Sequence, residues 1–143
     1  MEIRLFSVDS PEYEQMAQLR LEVLLRPIGV PASYINPQKE KADLLIGAFE
    51  GEQMIGCCVL THLNEELVQL RQMAVQSDVQ GQGVGAAIVT FAEKVARERG
   101  FARLMMHARD VVIPFYQKCG YTVAGEQFTE VGIAHHRMEK ALN

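Results

Sequence analysis

Leu70-Arg71-Gln72-Met73-Ala74-Val75, followed by Gln76-Ser77-Asp78-Val79 and Gln80-Gly81-Gln82-Gly83-Val84-Gly85-Ala86, with the run onward to Arg99, decides how this chain is read. An apolar strand, a turn with glycine at alternate positions and an amphipathic helix follow one another directly. Glycine lets a backbone approach a ligand without side-chain interference, and the first turn of a helix leaves several amide N–H groups without partners. The helix dipole adds partial positive charge at the same point, so a phosphate or pyrophosphate is the expected occupant. A glycine trio alone reads more simply as a tight strand-to-helix turn, and the neighbouring residues have to decide.

Two nucleotide-binding alternatives fail on those neighbours. A triphosphate loop needs Lys-Ser/Thr after its last glycine, where this chain has Val84-Gly85-Ala86. A dinucleotide fingerprint on Gly81, Gly83 and Ala86 lacks the acidic residue that should end a second strand. What remains is Gln-x-x-Gly-x-Gly at Gln80, Gly83 and Gly85. It resembles the pyrophosphate-binding signature of the GNAT superfamily of N-acetyltransferases. A second run, Val112-Ile113-Pro114-Phe115-Tyr116-Gln117-Lys118-Cys119-Gly120-Tyr121, resembles that superfamily's Phe-Tyr-x-Lys-x-Gly-Phe/Tyr pattern. Taken alone, Phe115 and Tyr121 would read as core aromatics. The two motifs come in the family's order with a strand between them. The tail, residues 126–140, is similar to the small bacterial ElaA/YjcF-like subgroup, with Ala134 where that subgroup tends to have the proline of Gly-Ile-Pro-His.

Composition bounds the rest. With 143 residues, 48% of them hydrophobic, the chain reads as one domain over residues 1–143 that can bury a core. A net charge of −4 with scattered Lys and Arg argues against a nucleic-acid or anionic-membrane surface. The first residues, Met1-Glu2-Ile3-Arg4-Leu5-Phe6, lack the apolar core of a leader, and no apolar run approaches membrane-spanning length, so a cytoplasmic protein is expected. Cys57, Cys58 and Cys119 are odd in number and lack metal-ligand spacing, which suits reduced thiols.

Periodicity predicts an edge strand over 2–8 with Ile3, Leu5 and Phe6 inward, a cap at Asp9-Ser10-Pro11, and a helix over 11–25 striped with Tyr13, Met16, Ala17, Arg20, Leu21 and Leu24. Residues 32–41 read as a loop or short helix. A hairpin over 43–63, a third antiparallel strand over 66–75, a helix to Arg99 and a strand over 102–108 follow, the last two strands being parallel through a crossover. A short helix over 112–118 and strands over 121–124 and 134–140 complete an α+β fold: a mixed antiparallel and parallel central sheet, GNAT-like, flanked by helices on both faces.

The resemblance implies an enzyme, an acetyl-CoA-dependent N-acetyltransferase acting on a small amine acceptor; a CoA-binding sensor of the same fold without turnover is the alternative. It implies that acetyl-CoA lies where the two parallel strands part, its pantetheine arm pairing with Gln72, Met73, Ala74 and Val75 as an added strand. The Met73 amide would face the thioester oxygen, and Gln80, Gly81, Gln82, Gly83, Val84, Gly85 and Ala86 would hold the pyrophosphate. Phe115 would pack beneath the arm. Tyr116 matches the family tyrosine that protonates the leaving thiolate, a phenol and a thiol having ordinary pKa values within about two units. A homodimer is the oligomer such a family suggests, and no metal site is expected. Many members carry a basic glutamate on the strand before the loop; here those positions hold Arg71 and Gln72. His107, Glu130, His135 and His136 are left as base candidates, with His107 and His135 foremost and a hydrogen-bonded structural role the simpler reading of any one histidine. Arg20 and Arg26 would meet an acidic group on the acceptor or be solvated, and Arg109-Asp110 would line the cleft mouth or form an exposed pair.

Overall fold

The computed structural model describes residues Met1–Asn143. Eight strands form one sheet: β1 (Glu2–Phe6), β2 (Leu44–Glu50), β3 (Gln53–His62), β4 (Leu67–Val75), β5 (Arg103–Arg109), β6 (Thr122–Val123), β7 (Phe128–Glu130) and β8 (Ile133–Ala141). Their order is β1-β2-β3-β4-β5-β8-β6, with β7 also on β8, and only β4 and β5 run parallel. The α-helices are α1 (Glu12–Arg20), α2 (Pro37–Glu40), α3 (Val84–Glu98) and α4 (Ile113–Lys118). None is long and apolar enough to cross a membrane.

Alternation along the strands sorts side chains onto two faces. On one, Val84, Ile88 and Val95 of α3 and Tyr116 of α4 bury against Ile46, Leu60, Leu70, Leu104 and Met106. On the other, Tyr13, Met16 and Leu19 of α1 bury against Leu45, Phe49, Cys57, Val59 and Ala74. Strand β4 changes sides partway. Its register against β3 slips between Cys57↔Ala74 and Val59↔Arg71, so one extra residue is accommodated there. Gln72 takes a left-handed φ of 55°, the strained residue of this bulge. Before the bulge Leu70 faces α3; after it Ala74 faces α1 while Met73 and Val75 lie against the α3 side.

The parallel pairing is short. It runs from Leu67↔Arg103 to Leu70↔Met106 and stops. Beyond it β4 continues against β3 and β5 against β8, so the two strands part and a wedge opens between them.

Several expectations are corrected. The helix begun at Glu12 is α-helical only to Arg20, then widens to a π turn over Leu21–Leu25 and tightens to a 3₁₀ turn over Arg26–Ile28. Its N-terminus has no side-chain cap; the Ser10 hydroxyl donates instead to the Ser7 carbonyl, 2.7 Å away. Leu5 points to solvent because β1 is an edge strand whose inward contacts come from Ile3 and Phe6. The sequence reading missed β7 entirely. It is joined to β8 by Val131-Gly132, both with positive φ (45° and 75°), the backbone of a two-residue hairpin turn built without the usual asparagine or aspartate.

Candidate functional site

The wedge leads into the glycine turn. The Gln80 side-chain amide donates to the Val75 carbonyl (2.9 Å), tying the turn back to the end of β4. Gly81 and Gly83 have φ of 82° and 87°, and a Cβ on either would meet nothing within 4 Å, so backbone conformation, not crowding, requires glycine there. Gly85 differs: a Cβ would lie 3.1 Å from the Phe115 ring. Ala87 is the first amide of α3 to find a carbonyl, that of Gly83 at 3.0 Å, and no backbone amide of residues 81–86 has an acceptor in the chain. A run of bare N–H groups at the positive end of a 15-residue helix, with open space over Gly81 and Gly83, fits a pyrophosphate.

On the same face, α4 supplies Phe115 and Tyr116 in edge-on contact (5.0 Å between centroids), and Tyr121 lies edge-on to Tyr116 at 6.1 Å. Tyr116 is 5% exposed, yet no fully buried polar side-chain atom in the structure lacks a partner. Its hydroxyl, which hydrogen-bonds to nothing in the chain, therefore keeps an opening to solvent. Burial pushes this phenol well above its ordinary value, which keeps it in the O–H form. Behind it the Tyr121 hydroxyl donates to Glu93 (2.8 Å), whose carboxylate also accepts from Lys140 (3.0 Å). Buried Glu93 went unnoticed in the sequence; a lone carboxylate among Val89, Ala92 and Ala96 on the buried side of α3 was the available sign.

The opposite face carries the histidines. Register sets His107 beside Arg137 and Arg109 beside His135, on the side away from Met106, Ala108 and Met138. Strand β7 adds Phe128 opposite His135 and brings up Glu130. The His107 Nδ1 lies 3.0 Å from Glu130 Oε1. A carboxylate only accepts, so Nδ1 carries the hydrogen and the neutral ring keeps Nε2 as a free acceptor. His135 is buried, stacked on Phe128, and its Nδ1 donates to the Ile133 carbonyl (2.8 Å). Its Nε2 stands 3.6 Å from Glu130 Oε2, too far for a hydrogen bond. Both histidines at 135 and 136 lie inside β8 and point to opposite faces. His136 is held by Asp110 (2.7 Å), which also accepts from Gln127 (2.6 Å). Those two bonds, the His136 one foremost, keep the Asp110 carboxyl below its ordinary value. Asp110 is thus engaged away from Arg109, and the two do not pair.

Arg20 meets no solvent and no cleft. It is 0% exposed; its two terminal nitrogens clamp Glu40 (2.8 and 2.6 Å), its Nε donates to the bulge residue Gln72 (3.1 Å), and Tyr13 donates to Glu40 (2.8 Å). The expectation that Arg20 is solvated or meets an acceptor acid is corrected, while Arg26 is exposed. Arg71 donates to Thr61 and stands 3.9 Å from Asp43, so neither β4 position before the loop carries a base.

A wedge between parallel strands, bare amides at one helix start and a tyrosine beside them define an acyl-CoA transferase type of architecture, and comparison with known proteins agrees. The family model described as an acetyltransferase (GNAT) domain matches residues 10–142, and the chain belongs to that family. It is similar to the uncharacterized N-acetyltransferase YjcF of Bacillus subtilis (strain 168), 29% identical over 123 residues, which cover 85% of this chain and 87% of that protein. Among solved structures it shares its fold with Escherichia coli ElaA (TM-score 0.85, 16% identity, 98% of this chain and 99% of that one). A GNAT family acetyltransferase from Elizabethkingia anophelis with acetyl-CoA bound gives a TM-score of 0.77 at 21% identity, over 99% of this chain and 97% of that one. The resemblance to the ElaA/YjcF-like proteins is thus met by sequence similarity to YjcF and by a fold shared with ElaA.

Proposed function

We propose that residues 1–143 act as one acetyltransferase domain that moves the acetyl group of acetyl-CoA onto a primary amine of a small acceptor by direct attack. The observation that carries this is the row of unpartnered amides over residues 81–86, placed where β4 and β5 separate. The Elizabethkingia relative, similar in fold, carries acetyl-CoA. When bound, acetyl-CoA supplies an activated thioester carbonyl.

The chain's own groups then divide the work. Gln80 and the amides of Gly81, Gln82, Gly83, Val84, Gly85 and Ala86 grip the pyrophosphate, Met73, Ala74 and Val75 flank the pantetheine arm, and Phe115 packs beneath it. The Met73 N–H faces the thioester oxygen, where charge develops. Tyr116 belongs to the α3 face and His107 to the other, so acid and base stand on opposite sides of the sheet at the wedge. His107 Nε2, left open by the Glu130 contact, takes the first proton from the ammonium. The freed lone pair forms the C–N bond as the C–S bond breaks. The Tyr116 O–H gives its proton to the departing sulfur, and the second nitrogen proton replaces it. The products are an N-acetyl amide and free CoA thiol. His135, expected as a second catalytic group, backs Phe128 in this scheme.

Thiol release from acetyl-CoA over a panel of primary amines tests this. Turnover that falls about 10²-fold or more in Tyr116→Phe, with acetyl-CoA affinity unchanged, is the expected result. One observation favours the alternative of a CoA-binding module: Gln72, at the strand position where a base is missing, is committed to Arg20. Tight acetyl-CoA binding with no thiol release from any amine would establish that reading.

A further inference from the structure

We infer that the acceptor is a compact amine that also bears a carboxylate, and that Arg109 binds that carboxylate; this rests on the transfer reading above. Six Lys and Arg residues lie in the strands, and five have carboxylate partners. Arg4 pairs with Glu2 and Glu12, Arg71 with Asp43, Arg103 and Arg137 with Glu139, and Lys140 with Glu93. Arg109 alone has none. It is half-buried at the last position of β5, and the nearest acid in sequence, Asp110, is taken by His136 and Gln127. A partly desolvated guanidinium without a counter-ion is unfavourable by itself, and a ligand anion would relieve it.

Its position says which end of a ligand it would take. Arg109 is two residues beyond His107 on one strand, so both side chains leave the same face, about 7 Å apart at the backbone. The other charged and titratable groups on this face of β5, β7 and β8 are Glu130, bonded to His107; His135, directly across from Arg109; and Arg103 and Arg137, both occupied by Glu139. An acceptor whose nitrogen meets His107 Nε2 reaches Arg109 with an anionic group only a few bonds away. The planar guanidinium fork matches a carboxylate in two parallel hydrogen bonds. One unopposed positive charge balances one negative charge, which favours a carboxylate over a doubly charged phosphate ester.

The test uses matched pairs: β-alanine against β-alaninamide, and α-amino acids against their carboxamides, at saturating acetyl-CoA. Wild-type protein should favour the carboxylate member by about tenfold or more in kcat/KM, expressed in KM. Arg109→Gln should bring that ratio close to one, Arg109→Lys should restore part of it, and acetyl-CoA affinity should be the same in all three. A wild-type ratio near one, or a ratio retained in Arg109→Gln, overturns the assignment. If neither member of any pair releases thiol, the transfer reading is what fails, and titration of the same pairs into CoA-saturated protein decides Arg109. Carboxylate-selective binding lost in Arg109→Gln upholds it; equal binding of acid and amide, or binding of neither, overturns it.

Discussion

Two polar regions flank the bulge of β4, and they are built in opposite ways. The turn over residues 80–86 leaves the amides of residues 81–86 without acceptors, with open space over Gly81 and Gly83. The Arg20, Glu40 and Tyr13 group is sealed, with no fully buried side-chain nitrogen or oxygen left without a partner, and Arg20 also donates to Gln72. Unspent hydrogen-bonding capacity at a helix start is free to hold an outside anion. Capacity spent internally, at positions up to 52 residues apart in the chain, ties α1, α2 and β4 together and holds the Gln72 backbone in a conformation that a side-chain-bearing residue resists. In the proposed reading the first region binds, and the second braces the strand along which the acyl carrier would lie.

The contrast is broken most forcefully at Arg20. Arg20→Met strands the Glu40 carboxylate in the interior and should lower unfolding free energy by about 3–5 kcal/mol in a denaturant titration. A loss under about 1 kcal/mol would mean the sealed group braces nothing. Gly83→Val attacks the other region: a β-branched residue at φ 87° should cost about 1–2 kcal/mol in stability and weaken acetyl-CoA binding about tenfold or more. Because a Cβ there meets nothing within 4 Å, the fold should survive, and unchanged affinity would misplace the pyrophosphate.

pH sharpens the difference further. Burial works to raise the Glu40 carboxyl, but the Arg20 hydrogen bonds and charge, with Tyr13, leave it below its ordinary value. A depressed carboxyl stabilises the fold above the unfolded-state pKa of about 4.3, and that contribution is lost as pH falls through the lower folded value. Burial, with Glu40 beside it, pushes Tyr13 up to about 12. Its contribution is complete below the ordinary phenol value of about 10 and is lost as pH rises toward the folded one. Urea midpoints across pH should show both limbs; Arg20→Met should flatten the acid limb, which Arg20 creates, and leave the alkaline one, because burial and Glu40 raise Tyr13 while Arg20 works to lower it. The smallest effect belongs to Gln80→Ala, which removes one exposed hydrogen bond to Val75 and should cost about 1 kcal/mol or less, measured by thermal unfolding.

The bare region was legible from residues alone and the sealed one was not. Gly81, Gly83 and Gly85 announce themselves by spacing, and the helix they open begins at Val84. Phe115 and Tyr116 follow from a local pattern in the same way, whereas the raised phenol of Tyr116 depends on what buries it. Arg20 looked like one polar residue on a helix, since its partners Glu40 and Gln72 lie far along the chain and one of them sits in a bulge no pattern marks. The pairing of His107 with Glu130 escaped for a related reason: β7 is three residues long, and its turn, Val131-Gly132, carries no strong hairpin signature.

By itself the order of residues determined the strand, the glycine turn, the helix and the aromatic motif, and with them the family, because each is set by neighbours a few positions away through backbone conformation and periodicity. Only the tertiary structure decided that Arg20 is sealed, that Asp110 turns from Arg109 toward His136, and that His107 keeps one nitrogen open. Those outcomes depend on strand register and on which groups share the interior, and register is settled by the burial of a whole face at once.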